Sequence, residues 1–191
     1  SVMVYFFTIN LFSKGYMGFT GGEVLTGFML FYLMFIHKPK SDGLFGQLQN
    51  VLNNSFYWIL LLQVCILYFF SSVYKLYDAD WVSGMAMYYI TQLNEFNTYM
   101  SSILHQSEVL SIIATWCALG YQLIFPVVVW IKKIKIPYLL FGVFFHLMIA
   151  FAMGIFTFGI IMIITYILFI DEKHIDWIKS KLRRRKATDN A

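Results

Sequence analysis

One run of this chain combines residue types that can move a proton. Lys75-Leu76-Tyr77-Asp78-Ala79-Asp80-Trp81, followed by Gly84, sets one amine at the end of an apolar stretch, with two carboxylates and an indole just after it. A lysine at the edge of a membrane helix is costly unless it snorkels, is paired or is functional. A desolvated amine gives up its proton readily and can serve as a general base. The plain alternative is that Lys75 reaches the rim and pairs with Asp78 or Asp80. His146 stands in LLFGVFFHLMIAFAMGIF. An imidazole there is either a satisfied packing residue or a hydrogen-bond partner and proton relay facing the bundle interior. Glu23, after Gly21-Gly22, starts a helix; it either favours that helix N-terminus electrostatically or contributes to a site.

Other chemistries find no support. No two histidines stand at i and i+4, and Cys65 and Cys117 lie singly in apolar runs, so no metal site or disulfide framework is expected. His105 sits beside Gln106 in a polar stretch; His37 and His174 flank charged loops. These scattered groups do not make a Ser/His/Asp or Cys/His triad, and the glycine patterns of phosphate loops and dinucleotide folds are absent.

The elements that must position Lys75 follow from composition. Of 191 residues, 60% are apolar, 20% aromatic and only 13% charged, and mean hydropathy is +0.68. A soluble domain carries about 25% charged residues. An ordinary cytosolic enzyme, a disordered tail and a disulfide-stapled secreted domain are thereby excluded. The fold class expected is all-α: a polytopic transmembrane helical bundle.

Apolar runs divide the chain. Residues 2–12 are too short to span and read as the end of a helix whose beginning is missing. The next run is 19–36. A polar loop follows, HKPKSDGLFGQLQNVLNNS, with Pro39 and two glycines as breakers. Further runs cover 55–74, 108–131 (with Pro126) and 137–170. The last would be about 51 Å long as one helix, too long for a single span. Basic clusters flank it: KKIK at 132–135 and RRRK in the tail. Both belong on the cytoplasmic side by the positive-inside rule, so an even number of crossings separates them. Two short helices, 137–153 and 157–170, turning near Gly154, satisfy this.

The same rule orients the rest. Lys38 and Lys40 are cytoplasmic, helix 55–74 runs outward, and 76–107 is external, with Asp78, Asp80 and Glu95 and no Lys or Arg. Residues 171–191 form a basic cytoplasmic tail. The apolar positions of 81–104 recur near a 3.6 period, which predicts one or two external amphipathic helices acting as a lid. The basic excess belongs to membrane topology rather than to nucleic-acid binding.

The block Val73-Tyr74-Lys75-Leu76-Tyr77-Asp78-Ala79-Asp80-Trp81-Val82-Ser83-Gly84 resembles the signature of the horizontally transferred transmembrane (HTTM) family, which includes the membrane domain of vitamin K-dependent gamma-carboxylase. The Gly21-Gly22-Glu23 helix start and the Phe145-His146-Leu147 helix ending in Gly154-Ile155-Phe156 are similar to the family pattern as well. The resemblance covers most of 16–170 and implies an HTTM-like membrane domain over 1–170. In the carboxylase a lysine of this block deprotonates vitamin K hydroquinone; oxygen then generates a strong base that opens the way to carboxylation of Glu. The matching position is Lys75. Tyr74-Lys75 stands where the carboxylase has two adjacent lysines, Tyr77 is an added residue, and no large luminal domain follows Ile170.

Two functional readings follow. In the first, Lys75 as base and His146 as relay, with Asp78, Asp80, Trp81 and Glu23 as substrate-binding candidates, form a site near the outer leaflet for a lipid-soluble substrate; a quinol such as reduced vitamin K is implied by the resemblance alone. In the second, the chain is a non-enzymatic membrane subunit or a maturation factor for a secreted peptide, with 81–104 as contact surface. A transporter ranks third, since paired broken helices are lacking. A bacterial inner-membrane location is expected under either of the first two.

Overall fold

A computed structural model of the chain describes residues 3–6, 8, 21–37, 43–96, 98–171 and 180. The described residues are helical, with no strand among them. Three helices are long and apolar enough to cross a membrane: α2 (Leu44–Leu76), α6 (Glu108–Val128) and α7 (Lys135–Met153). Two shorter apolar helices accompany them, α1 (Gly21–Leu33) and α8 (Phe156–Thr165), the latter extended by a 3₁₀ turn over Tyr166–Phe169. Between α2 and α6 lie three short helices, α3 (Ala79–Ser83), α4 (Ala86–Ile90) and α5 (Tyr99–His105), and a 3₁₀ turn at Asn94–Phe96. The stretch read as one or two amphipathic helices is therefore broken into more pieces than its periodicity suggests. Gly84, in the left-handed conformation at φ 86°, ends α3, and Thr98 restarts the chain with a reciprocal capping box to Ser101.

The bundle is antiparallel. At one end lie Lys75, the starts of α6 and α8, and the end of α7; at the other lie Lys135 and the end of the 3₁₀ turn. The turn expected near Gly154 is there: α7 stops at Met153, Gly154 adopts φ 71°, and α8 starts at Phe156. A left-handed backbone suits a residue without Cβ. Helices α7 and α8 then pack back to back. A Cβ on Gly159 would lie 2.8 Å from the His146 carbonyl oxygen, so the absence of a side chain sets their spacing.

The polar loop expected before residue 55 is shorter than it reads. Helix α2 starts at Leu44, with Gly43 extended as its N-cap. Its 33 residues span about 50 Å, more than a hydrocarbon core of about 30 Å. The first three turns carry Gln47, Gln49, Asn50, Asn53 and Asn54, which are polar yet compatible with helix, so low hydropathy hid them. Asn53 uses that extension. Its amide accepts from the His37 N–H at 3.1 Å and donates to the His37 carbonyl at 2.6 Å, tying the chain after α1 to α2.

The core is built where α2, α6, α7 and α8 meet. Leu61, Val64, Tyr68, Tyr121, Phe125, Leu139, Met162 and Tyr166 are all buried there. Outward-facing residues of the same helices, such as Trp58, Phe69, Phe70, Val127, Leu140 and Phe144, are large, apolar and exposed. That is the surface a membrane protein presents to lipid, where the surrounding solvent is as apolar as the side chains.

Candidate functional site

The sequence places Lys75 next to two carboxylates; the fold gives it other partners. Its Nζ donates to Gln122 Oε1 on α6 at 2.5 Å and lies 4.5 Å from the centre of the Trp81 ring. Ser71, one turn earlier on α2, donates to the same Gln122 oxygen at 3.5 Å, at the limit of a hydrogen bond. Asp78 and Asp80 are exposed. The Asp78 carboxylate accepts from the Asp80 N–H at 2.8 Å, capping α3. Among the described residues the only ion pair is Lys135 with Asp171, at 2.8 Å, at the other end of the bundle. The rim pairing of Lys75 with an aspartate is thus replaced by an amide and an indole. The cause is local: Asp78 is turned back to serve the N-terminus of α3, which in turn carries Trp81 over the amine.

Lys75, Gln122, Ser71 and Trp81 form the polar end of a cavity of about 470 Å³. The rest of its wall is apolar, including Met87, Cys117, Phe145, Met148 and Phe158. The cavity exists because α6 packs chiefly on α2 and α7 chiefly on α8, leaving a cleft between α6 and α7. The short helices close one end of it. The Met87 N–H donates to Thr115 Oγ1 at 3.1 Å, fixing α4 on α6. The Thr98 hydroxyl donates to the Ala152 carbonyl at 2.6 Å, fixing α5 on the end of α7. Leu110, Ile113, Phe144 and Met148 line the cavity and are also exposed on the lipid-facing surface, so its mouth opens sideways between α6 and α7.

His146 is fully buried and belongs to a separate constellation. Its Nε2 is 2.8 Å from the Tyr68 hydroxyl; that hydroxyl is 2.6 Å from the Tyr166 hydroxyl, which accepts from Tyr121 at 2.8 Å. Tyr138 donates to the Tyr121 backbone carbonyl. Gly142 makes the room: a Cβ there would collide with the Tyr121 hydroxyl. Each phenol has one proton, so with Tyr121 donating, the chain runs Tyr121 to Tyr166 to Tyr68 to His146 Nε2. His146 then carries its proton on Nδ1, which has no hydrogen-bond partner among the described residues. Glu23, half-buried in the first turn of α1, is not part of the cavity wall. Of the sequence candidates, the fold brings together Lys75 and Trp81, sets His146 one layer deeper, and leaves Asp78 and Asp80 on the surface.

Gln122 and the three tyrosines were not singled out in the sequence. A signal for Gln122 exists: Ser111, Thr115 and Gln122 fall at i, i+4 and i+11, one face of α6, and all three are buried. The described residues hold no cluster of three or more His, Cys, Asp or Glu that would take a metal ion.

Comparison with known proteins fixes the family. Residues 24–177 match the HTTM domain. The chain belongs to the HTTM family. Among curated proteins, the uncharacterized protein YitO of Bacillus subtilis (strain 168) is 34% identical over 119 residues, which is 60% of this chain and 38% of YitO. The HTTM chain therefore aligns with well under half the length of that relative. No solved structure matches.

Proposed function

We propose that this HTTM protein binds a lipid-soluble molecule with a hydroxyl-bearing head in the cleft between α6 and α7, with Lys75 as the group that receives the proton of that hydroxyl. One observation carries the reading: among the described residues, the only amine on the cavity wall sits at the polar end of a space that is otherwise apolar and opens toward lipid. An amine held by an amide and an indole has lost most of its water without gaining a counter-charge, which is the setting in which it can exchange a proton with a ligand. The head would meet Lys75, Gln122 and Trp81, and the tail would leave between Phe144 and Ile113. A quinol has this form, and the resemblance of the Lys75–Gly84 block to the gamma-carboxylase points to the same class. Asp78, Asp80, Glu23 and His146 act around this site rather than on its ligand in this reading. The Lys75 end is assigned to the outer leaflet of a bacterial inner membrane, and residues 171–191 to the cytoplasm.

Cys117 provides the test, because it is a free thiol on the cavity wall, whereas Cys65 is buried. In proteoliposomes, a short-chain naphthoquinol should slow alkylation of Cys117 by N-ethylmaleimide several-fold. The Lys75→Leu variant should lose that protection and keep the basal alkylation rate. Equal alkylation with and without the quinol in the native protein would overturn the proposal. The exposed Tyr77 at the end of α2, with Tyr89 and Tyr99 on the short helices, favours a second reading, in which this face receives a membrane subunit or a secreted peptide.

A further inference from the structure

A lysine at the edge of a membrane can be met by a carboxylate, and this chain has two within five residues of Lys75. The fold uses neither. The partner delivered from α6 is the amide of Gln122, itself buried, at 2.5 Å from Nζ. We infer that Gln122 is a positioning residue that holds Lys75 in place in both of its protonation states, so that the amine can change state without leaving the site.

The argument is one of donors and acceptors. An ammonium has three donors and no acceptor; a neutral amine has two donors and one lone pair. A carboxylate satisfies only donors and favours the charged form by Coulomb attraction. An amide satisfies either form. Its oxygen accepts from the ammonium, and a half-turn of the same group presents its NH₂ to the lone pair of the neutral amine. Ser71 hydroxyl reaches the same amide oxygen and marks the orientation that suits a donating Lys75. Trp81 adds a contact that strengthens with positive charge but makes no hydrogen bond to the amine.

Everything else facing Lys75 is compatible with this. From α2 comes Ser71, from α3 Trp81, from α4 Met87 and Ile90, from α6 Gln122 with Cys117 further along, and from α7 Phe145 and Met148. Among the described residues Cys117 is the one other titratable group on that wall. Asp78 and Asp80, the nearest acids in sequence, are exposed at the N-cap and in the first turn of α3, and His146 turns its Nε2 to Tyr68.

The inference rests on the Lys75 site of the proposed function, but its test needs no ligand. Trace acetylation with acetic anhydride across a pH series reports the neutral fraction of each lysine. It is applied to the full chain in proteoliposomes, with Lys132 and Lys133 as internal references. Gln122→Glu should displace the Lys75 acetylation profile to higher pH, slowing acetylation at a pH on its rising limb by about tenfold or more, the effect of an opposite charge at this range. Gln122→Met, similar in volume and uncharged, should not displace it upward. If Gln122→Glu does not fold, Ser71→Asp places a carboxylate at i, i+4 to Lys75 and should displace the profile in the same direction. Unchanged profiles in the folded carboxylate variants would overturn the inference, and so would an equal upward displacement in Gln122→Met. Loss of quinol protection at Cys117 with the acetylation displacement intact would count against the ligand and leave the role of Gln122 standing.

Discussion

At the scale of single residues, two polar constellations of this HTTM protein differ in kind. Lys75 and Gln122 meet at the wall of a space a molecule can enter, whereas the Tyr121–Tyr166–Tyr68–His146 chain is closed on all sides. The tyrosine chain is therefore read as cohesion between α2, α6, α7 and the 3₁₀ turn that extends α8, each of which supplies one member. Tyr166→Phe tests that reading. It removes the hydroxyl that joins Tyr121 to Tyr68 and fills the same volume. A loss of about 1 kcal/mol is expected, two hydrogen bonds at the roughly 0.6 kcal/mol that each contributes on average inside a membrane protein. The unfolding temperature in detergent should fall, while Lys75 acetylation stays as in the native chain. A simultaneous change at Lys75 would mean that the two constellations are coupled. Lys75 itself was legible in the sequence because a cation stands out in an apolar run beside acids. Its real partner was not, because Gln122 is 47 residues away and acquires meaning only when α6 is laid on α2. Proximity in sequence suggested Asp78, and capping geometry at α3 removed it from contention.

At the scale of elements, the positions of glycines decide how the second half of the bundle closes. Gly154 and Gly159 do different work, and substitutions should separate them. At Gly154 the surroundings are open, with Thr98 Cγ2 at 3.7 Å from where a Cβ would sit, so Gly154→Ala meets only the cost of a left-handed backbone, about 1–2 kcal/mol. At Gly159 a Cβ would be 2.8 Å from backbone and 2.9 Å from the Ala150 Cβ, neither of which can yield without moving α7. Gly159→Leu should therefore prevent α7 and α8 from packing. Size-exclusion profiles in detergent should remain monodisperse for Gly154→Ala and become aggregated for Gly159→Leu. The turn at Gly154 was readable in advance because length and charge together required two short helices between two basic clusters. The start of α2 was not, since hydropathy reports what a lipid chain would accept and says nothing of a helix continuing into water. The breaks within 79–105 were hidden for a related reason. A 3.6 period survives interruption when short helices are held by caps, as Asp78 holds α3 and Thr98 holds α5, or by a neighbour, as Thr115 holds α4, rather than by their own length.

At the scale of the whole molecule, the uneven distribution of charge becomes a statement about orientation. From residue 76 to residue 131 there is no Lys or Arg, while Lys132, Lys133 and Lys135 follow at once and the tail adds seven more. The fold sets the short helices of 79–105 over the Lys75 cavity and Lys135, paired with Asp171, at the opposite end of the bundle. Cations are retained on the cytoplasmic side during insertion, so the cavity end should face outward. Tyr99 on α5 is exposed beside the cavity end, and position 180 is exposed in the tail. In cells expressing Tyr99→Cys or Ser180→Cys, with Cys65 and Cys117 replaced by Ala, a membrane-impermeant maleimide should label position 99 in intact cells. It should label position 180 only after permeabilisation. The opposite pattern would place the Lys75 cavity at the cytoplasmic leaflet. The amine would then exchange its proton with the cytoplasm, and a partner for the short-helix face would have to be sought there. The side labelled thus decides which compartment sets the protonation of Lys75, and with it where the chemistry of the cleft would be driven from.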